Sequence, residues 1–443
     1  MKAVFIYRYI DEARYSLIQI HALLEKTFIE DGSDVRVHRA NSVLEVLEKA
    51  RYYSSKGYRV VIGYSLLSTV LPRIINEVKW LSGEVHKTRN TILVAGGPHA
   101  TGDPLGTLGL GFDVVVHGEA ESSLPALLEN FAEKGFEGLY SVKGIVIMGD
   151  EGAVYTGRQP PASLDDYPPF PYWRGIFSPI EITRGCIWGC RYCEVPYMHG
   201  ARIRHRSPEY ISYYARLFWA SGRRDLRFIT PNAFSYMSDG RNIRVEHLCG
   251  LLYSLRRIAS EYKARIFMGS FPSEVRPEHA TIRDAVRCLR DTVSNKSVII
   301  GAQSGSNRIL ETVNRGHNVE TVEEAVRMLN TYGFNADVDF IYAFPFEDEE
   351  DLRETLSFSE KLVERYRARI HAHYFLPLPG TPLEQLEPKD PPEWFMKRLF
   401  KLMGRGKLYG DWLKQREISR AIVELRRKGI IVGLKGWRLI RRV

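Results

Sequence analysis

Through the first 135 residues, short β-branched apolar runs alternate with longer segments whose apolar residues recur at helical spacing. The runs lie at 3–7, 34–38, 59–64, 91–95 and 113–117, and the helical segments near 12–30, 43–53, 67–81 and 122–133. This alternation predicts βαβ units and a doubly wound, Rossmann-like parallel sheet, whose ligands sit at the carboxyl ends of its strands. Gly63, Gly96, Gly97 and Gly118 fall at those ends. A hairpin at 144–157 follows. Pro160, Pro161, Pro168, Pro169 and Pro171 then exclude helix or inner strand from 159–175 and predict an extended linker. Beyond it the alternation restarts, with strands at 179–183, 226–230, 265–269, 298–302, 336–342 and 370–376. Helices are predicted at 246–262, 277–291, 319–332 and 348–366. Six β/α units with right-handed crossovers predict a partial (β/α)6 barrel that carries function at the C-terminal ends of its strands. Past Pro382 the chain reads as helical and ends in a basic tail. The predicted order is therefore α/β: a doubly wound domain (1–158), a linker (159–175), a barrel (176–382) and a helical, basic extension (383–443).

Composition fits this picture: of 443 residues, 44% are hydrophobic and 26% charged, as in a globular chain of two or three domains. No run of eighteen apolar residues predicts a membrane span. The N-terminus has no small-residue cleavage site and reads as a first strand, so a cytoplasmic protein is expected. The formal charge of +9 is local: nine Lys/Arg against two Glu in 415–443 give +7, leaving +2 elsewhere. Five cysteines cannot make a disulfide framework in a chain this long. Cys249 and Cys288 read as isolated, buried thiols in helices.

The other three cysteines demand a chemical explanation. EITRGCIWGCRYCEVPY places Cys186, Cys190 and Cys193 at C-x3-C-x2-C spacing, directly after the first barrel strand. Gly185 and Gly189 allow the loop to bend tightly. Iron–sulfur clusters of the 4Fe-4S type normally take four thiolates, so three leave one iron open to a small chelate. A structural zinc site with His199 as fourth ligand is the alternative, but such sites come as two separated Cys/His pairs and no second pair is present.

This triplet, with Tyr192 before its last cysteine, resembles the radical S-adenosylmethionine (SAM) superfamily. IIGAQSGSNRILETVNRGH, DVDFIYAFPFEDEED and HYFLPLPGTPLEQ resemble the motifs of strands four, five and six in its methylthiotransferase-like and cobalamin-dependent branches. The resemblance implies a 4Fe-4S cluster on Cys186, Cys190 and Cys193. SAM would lie across the strand ends, split reductively to methionine and a 5'-deoxyadenosyl radical. It implies Tyr192 on the adenine side, Phe344 and Pro345 flanking the adenine, and Gln303 and Ser304 as polar contacts at strand four. Ser270 and Glu274 would meet the methionine or ribose groups, and Asn232 takes the strand-two position. Ala343-Phe344-Pro345-Phe346 departs from the family's Gly-Phe-Pro-Gly.

In the first domain, the Gly-Gly-Pro-His turn and the Gly-Glu-x-Glu turn resemble the cobalamin (B12)-binding domains fused to radical SAM domains. By that resemblance Ser65, Gly96, Gly97, Pro98, His99, Gly118 and Glu119 would face cobalamin. The cobalt-ligating Asp-x-His-x-x-Gly of many such domains is missing after strand one, and His21 falls inside the following helix. Methylthiotransferases carry a second cluster on three further cysteines of this domain, and here it has none, which argues against sulfur insertion. The resemblance thus implies a cobalamin-dependent methyltransferase acting on an unactivated carbon, with methylcobalamin as methyl donor recharged by a second SAM. An anaerobic or well-reduced cytoplasm and a ferredoxin- or flavodoxin-type electron donor are implied with it. Another radical SAM reaction, such as rearrangement or ring formation, stays open, as does an RNA-binding protein with a structural cluster. The basic tail could hold nucleic acid through phosphate contacts, touch a membrane surface as a basic amphipathic segment, or be a solvated helix face with a strand-like end packed on the barrel. The substrate is not readable from the sequence.

Overall fold

The computed structural model describes residues 2–30 and 32–442; Val443, the end of the predicted extension, lies outside them. The chain forms two compact units: Met1–Ser178 with Leu378–Glu384 and Ala421–Val443, and Pro179–Pro377 with Gln385–Arg420.

The first unit is built on β1 (Lys2–Arg8), β2 (Asp34–Ala40), β3 (Arg59–Ser65), β4 (Thr91–Gly96), β5 (Val114–Val116), β6 (Ile145–Gly149) and β7 (Gly152–Tyr155). β1 pairs in parallel with both β2 and β3, β3 with β4, and β4 with β5; β6 and β7 add antiparallel. The parallel part thus runs 2-1-3-4-5, and its order reverses between β1 and β3, where doubly wound sheets bind ligands. β1, β3, β4 and β5 are buried along nearly their whole length, as strands covered by helices on both faces must be. Two short helices, Pro98–Gly102 and Pro104–Gly109, occupy a stretch predicted as loop. Each starts on a proline, whose fixed φ suits a first helical turn, but they are too short for periodicity to reveal.

The second unit winds β8 (Ile180–Glu181), β9 (Thr183–Arg184), β10 (Arg204–His205), β11 (Asp225–Ile229), β12 (Arg265–Phe267), β13 (Ser297–Gln303), β14 (Asn335–Tyr342), β15 (Arg369–Tyr374) and β16 (Leu408–Tyr409). β8, β11 and β12 pair in parallel, as do β13 to β16; bridges at Thr230–Ser273 and Val275–Ile300 continue the curl. β9 and β10 form a small antiparallel pair. The helix predicted at 277–291 is two, Pro277–Ala280 and Arg283–Thr292.

Residues 383–443 divide between the units instead of forming a helical extension of their own. In the second unit the helices Glu393–Gly404 and Trp412–Arg427 seat Phe395 and Trp412 against Tyr342. In the first unit β17 (Arg441–Arg442) pairs in parallel with β7, and Trp437 packs edge-on to His117 and Tyr155. The tail was read as an end packed on the barrel; it packs on the first sheet. The buried Asp103 carboxylate accepts from the backbone N–H groups of Gly106, Val432 and Gly433, tying that segment down. Among the described residues no helix is long and apolar enough to cross a membrane.

The linker is anchored within the first unit. Trp173 Nε1 donates to Glu25 at 2.7 Å and Arg174 at 3.0 Å, while His21 lies 3.2 Å from the same carboxylate. Burial alone would raise the Glu25 pKa, but the hydrogen bonds from His21, Arg174 and Trp173 bring it down to about 2. The folded value lies below the unfolded one, so this stabilisation is complete above pH 4.5 and is lost as pH falls toward 2. We expect Glu25→Ala to cost roughly 2 kcal/mol at pH 7 and to flatten that acid limb. Denaturant unfolding at pH 7 and pH 3 checks both.

Candidate functional site

The loop after β9 owes its shape to its backbone contacts. Gly185 has φ +91°, and a Cβ there would stand 2.4 Å from the Arg202 carbonyl oxygen, so only glycine fits. Cys186 N–H donates to Gly200 O at 3.3 Å, and Cys193 N–H to Cys190 O at 3.1 Å. From outside the loop, Arg191 N–H donates to Val313 O at 3.0 Å, and Asn314 Nδ2 to Trp188 O at 2.8 Å and Gly189 O at 3.2 Å. Trp188 is clamped by the Arg276 guanidinium, 3.8 Å from its ring centroid, and donates to Gly240 O. Loop and turn 313–316 therefore fix each other.

Cys186, Cys190 and Cys193 carry free thiols. Burial pushes Cys186 up and Cys193 up to about 12, and each neighbouring thiolate would add repulsion. Thiolates are the metal-binding form, and three of them are stable here only beside a strong positive charge. Part of that charge is built in. Arg315 donates from Nη1 to Cys190 Sγ at 3.6 Å, and from Nη2 to Gly301 O at 2.6 Å and Glu274 at 3.4 Å. The remainder suits an iron–sulfur cluster with three protein ligands. The other two cysteines offer no fourth, being joined as a disulfide between Val245–Glu261 and Arg283–Thr292 with Cα atoms 5.7 Å apart. They were expected to stand alone and buried, yet they face each other across two packed helices and Cys249 is only partly buried. His199, the alternative ligand, ends the helix Val195–His199.

The residues expected at SAM divide into two groups. Tyr192, Glu274, Gln303 and Phe344 gather near the loop. The Tyr192 and Phe344 ring centroids are 6.0 Å apart, Glu274 pairs with Arg315, and Gln303 ends β13 with φ +79° at a bulge. Burial raises the Glu274 pKa, against the pull of Arg315. Phe346, the departure from the family pattern, stacks on Phe344 at 5.6 Å, and Pro345 between them is half-buried. The second group is spent on architecture. Ser304 is fully buried, 3.2 Å from Thr355 Oγ1, and accepts from Ser306 N–H. Asn232 accepts from Phe234 and Arg276 N–H and lies 2.6 Å from His279 Nδ1. Ser270 accepts from Arg227. Sequence reasoning gave no role to Arg315, although it lies inside the quoted strand-four motif; arginine beside a cysteine in space leaves no mark in one-dimensional spacing.

In the first unit, Ser65, Gly96 and Gly118 lie at the carboxyl ends of β3, β4 and β5. Ser65 Oγ is 3.0 Å from Ser16 Oγ, and a Cβ on Gly96 would make an ordinary contact with Val116 Cβ at 3.8 Å, so crowding does not force glycine there. Gly97 has a different reason to be glycine: at φ +92° a Cβ would strike Leu66 O at 2.9 Å. Pro98 opens a helix, and His99 is fully buried within it, 2.9 Å from Ser68 Oγ. Burial holds His99 at about 4, hence neutral at pH 7. Gly118 N–H donates to Thr101, and Glu119 accepts from Ala162 N–H. His21 is buried between Tyr7 and Glu25.

Residues 180–359 match the family model of the radical SAM superfamily. The tRNA-2-methylthio-N(6)-dimethylallyladenosine synthase of Protochlamydia amoebophila (strain UWE25) is 31% identical over 229 residues, 51% of this chain and 48% of that protein. The chain thus spans about half the length of this curated relative. Among solved structures, the radical SAM methyltransferase TsrM of Kitasatospora setae, with cobalamin and a 4Fe-4S cluster bound, superposes with TM-score 0.65 at 16% identity. It covers 87% of this chain and 74% of its own. The cobalamin-dependent radical enzyme OxsB, with aqua-cobalamin and SAM bound, superposes with TM-score 0.65 at 14% identity over 97% and 62%. The chain carries a radical SAM domain, and such a domain implies a 4Fe-4S cluster and SAM. The thiol loop and Arg315 fit the cluster. Cys186→Ala, Cys190→Ala and Cys193→Ala should each abolish cluster iron. Arg315→Leu should lower iron and acid-labile sulfide after anaerobic reconstitution by about half or more, because Cys190 loses its positive neighbour.

Proposed function

We propose that this radical SAM enzyme is a cobalamin-dependent methyltransferase acting on an unactivated carbon. The observation that carries the reading is the extent of the structural likeness. It runs over 87% of the chain with TsrM, through the first unit as well as the barrel matched at 180–359. Two features of the first unit support it. Its 2-1-3-4-5 parallel order puts a ligand-binding switch point between β1 and β3, and Gly96 at the neighbouring end of β4 is only partly buried.

Cysteine supply argues against the reaction of the tRNA-modifying relatives. Insertion of sulfur by methylthiotransferases uses a second cluster on three cysteines of the first domain. This chain has five cysteines, none before Cys186, with two of them joined to each other.

Bound together, the reduced cluster and SAM supply one-electron chemistry that removes hydrogen from an unactivated carbon, and methylcobalamin supplies the methyl group. The chain's own work is to hold and orient. Cys186, Cys190 and Cys193 would hold the cluster, with Arg315 offsetting the thiolate charge at Cys190. Tyr192, packed against the fully buried Phe344 that stacks on Phe346, would supply the aromatic contact to the adenine. Glu274, with its carboxylate against Arg315, presents an acceptor for an ammonium or hydroxyl group. Electrons come from a ferredoxin- or flavodoxin-type donor.

The reading is tested by cobalamin retention. Protein purified anaerobically with its cluster reconstituted is mixed with hydroxocobalamin, desalted and read for corrinoid per chain. Near-stoichiometric retention is expected. Corrinoid loss with the iron–sulfur absorption intact would return the first unit to another purpose. Formation of 5'-deoxyadenosine without S-adenosylhomocysteine on any substrate would favour a rearrangement or ring-forming reaction.

A further inference from the structure

One cluster of metal-ligating side chains lies outside the cysteine loop. The segment Arg369–Tyr374 reads RIHAHY, and in a strand the alternation of side chains puts His371 and His373 on one face. Ile370, Ala372 and Tyr374 fill the other face and are buried, as are Ala336, Val338, Phe340 and Tyr342 on β14. The parallel register sets Asp339 of β14 opposite His371, so its carboxylate joins the face of the two imidazoles. Asp339 Oδ1 is 2.8 Å from His371 Nδ1 and 3.8 Å from His373 Nε2, and the three donor atoms lie within 4.8 Å of one another.

The surroundings suit a cation. The Asp339 side chain is only 11% exposed, and among the described residues its ion-pair partners are those two imidazoles alone. A carboxylate so placed is costly unless it is paired or coordinates a metal. The imidazoles are reachable, at 26% and 28% side-chain exposure. Both are held from behind. The Tyr409 ring stacks on His371 at 4.7 Å, and Gln415, anchored by accepting from Tyr374 N–H, lies 3.3 Å from His373 Nδ1. Outer contacts of this kind orient imidazole ligands.

We infer that Asp339, His371 and His373 form a second metal site of the barrel unit, for a divalent first-row transition ion. Two imidazoles and one carboxylate select such an ion over magnesium or calcium, which prefer all-oxygen sets. Three protein ligands leave positions for water or a polar group of the substrate, as in catalytic rather than closed structural sites. The inference does not depend on the first unit binding cobalamin.

Zinc is the probe, since it is confused neither with the iron of the cluster nor with the cobalt of cobalamin. Full-length protein with its cluster assembled is equilibrated with Zn2+, freed of excess and analysed for zinc and iron. Retention of about one zinc per chain is expected, falling more than roughly a hundredfold in affinity in the His371→Ala/His373→Ala protein, beyond the loss of an outer contact. Gln415→Ala should weaken zinc by about tenfold. Iron should stay unchanged in both. Should the double variant fold poorly, His373→Gln with unchanged iron and circular dichroism takes its place. No zinc on the wild-type chain, or zinc indifferent to His371 and His373, would overturn the site and leave a hydrogen-bonded Asp–His–His triad.

Discussion

Everything in the barrel unit answers to one electrostatic problem: three thiols on an eight-residue stretch, two of them, Cys186 and Cys193, held where burial opposes ionisation. A thiolate there needs positive charge close by and a loop that cannot relax away from it. The turn at 313–316 supplies both. Asn314 and Val313 hold the loop backbone, and the next residue, Arg315, turns its guanidinium onto Cys190. Gly316 completes the arrangement: at φ +80° a Cβ would run into the Trp188 ring at 2.6 Å. A segment 120 residues away in sequence thereby becomes part of the cluster loop. Arg315 is itself tolerated because Gly301 O and Glu274 share its charge, which brings β13 and the turn carrying Glu274 into the same network.

The first unit solves a different problem, how to keep a C-terminal segment attached, with buried carboxylates. Asp103 collects three backbone N–H groups, and Glu384 collects two more, from Gly380 and Leu434. Hydrogen bonds to a charged acceptor are stronger than neutral ones, and burial makes leaving them unmade expensive. Burial still raises Asp103 to about 6 despite those donors. Gly97, Gly118 and Glu119 are engaged elsewhere in the unit, with Leu66, Thr101 and Ala162.

What the sequence could disclose follows from how local each cause is. The parallel strands announced themselves because burial on both faces leaves continuous β-branched runs, and their predicted bounds differ from the observed ones by one or two residues. The cysteine loop was equally plain, since its ligands are close in sequence. Long-range partners were invisible. The pairing of Cys249 with Cys288, the use of Arg315 and the return of β17 to β7 all rest on contacts set by the fold. Counting charge along the basic tail does not disclose how that charge is paired. Arg416 and Arg420 pair with Asp390, Arg441 with Glu151, and Trp437 is packed between His117 and Tyr155, so part of that charge is structural. Ser304 and Asn232 stand on motif-like loops yet face inward, a distinction of side-chain direction that spacing does not encode.

The same barrel can therefore sit in proteins of different chemistry. A cluster loop of this kind fixes only how the radical is made, and its requirements are met entirely within the second unit by Cys186, Cys190, Cys193 and Arg315. The barrel loop itself specifies neither the first unit's strand ends nor the polar face of β14 and β15. The match to the tRNA-modifying relative covers about half of each chain, whereas the likeness to TsrM extends across 87% of this one. No cysteine precedes Cys186, so the side chains the first unit offers to a ligand include no thiolate. The cobalamin proposed above needs no thiolate from the chain, and the switch point of the 2-1-3-4-5 sheet lies where such a ligand would sit.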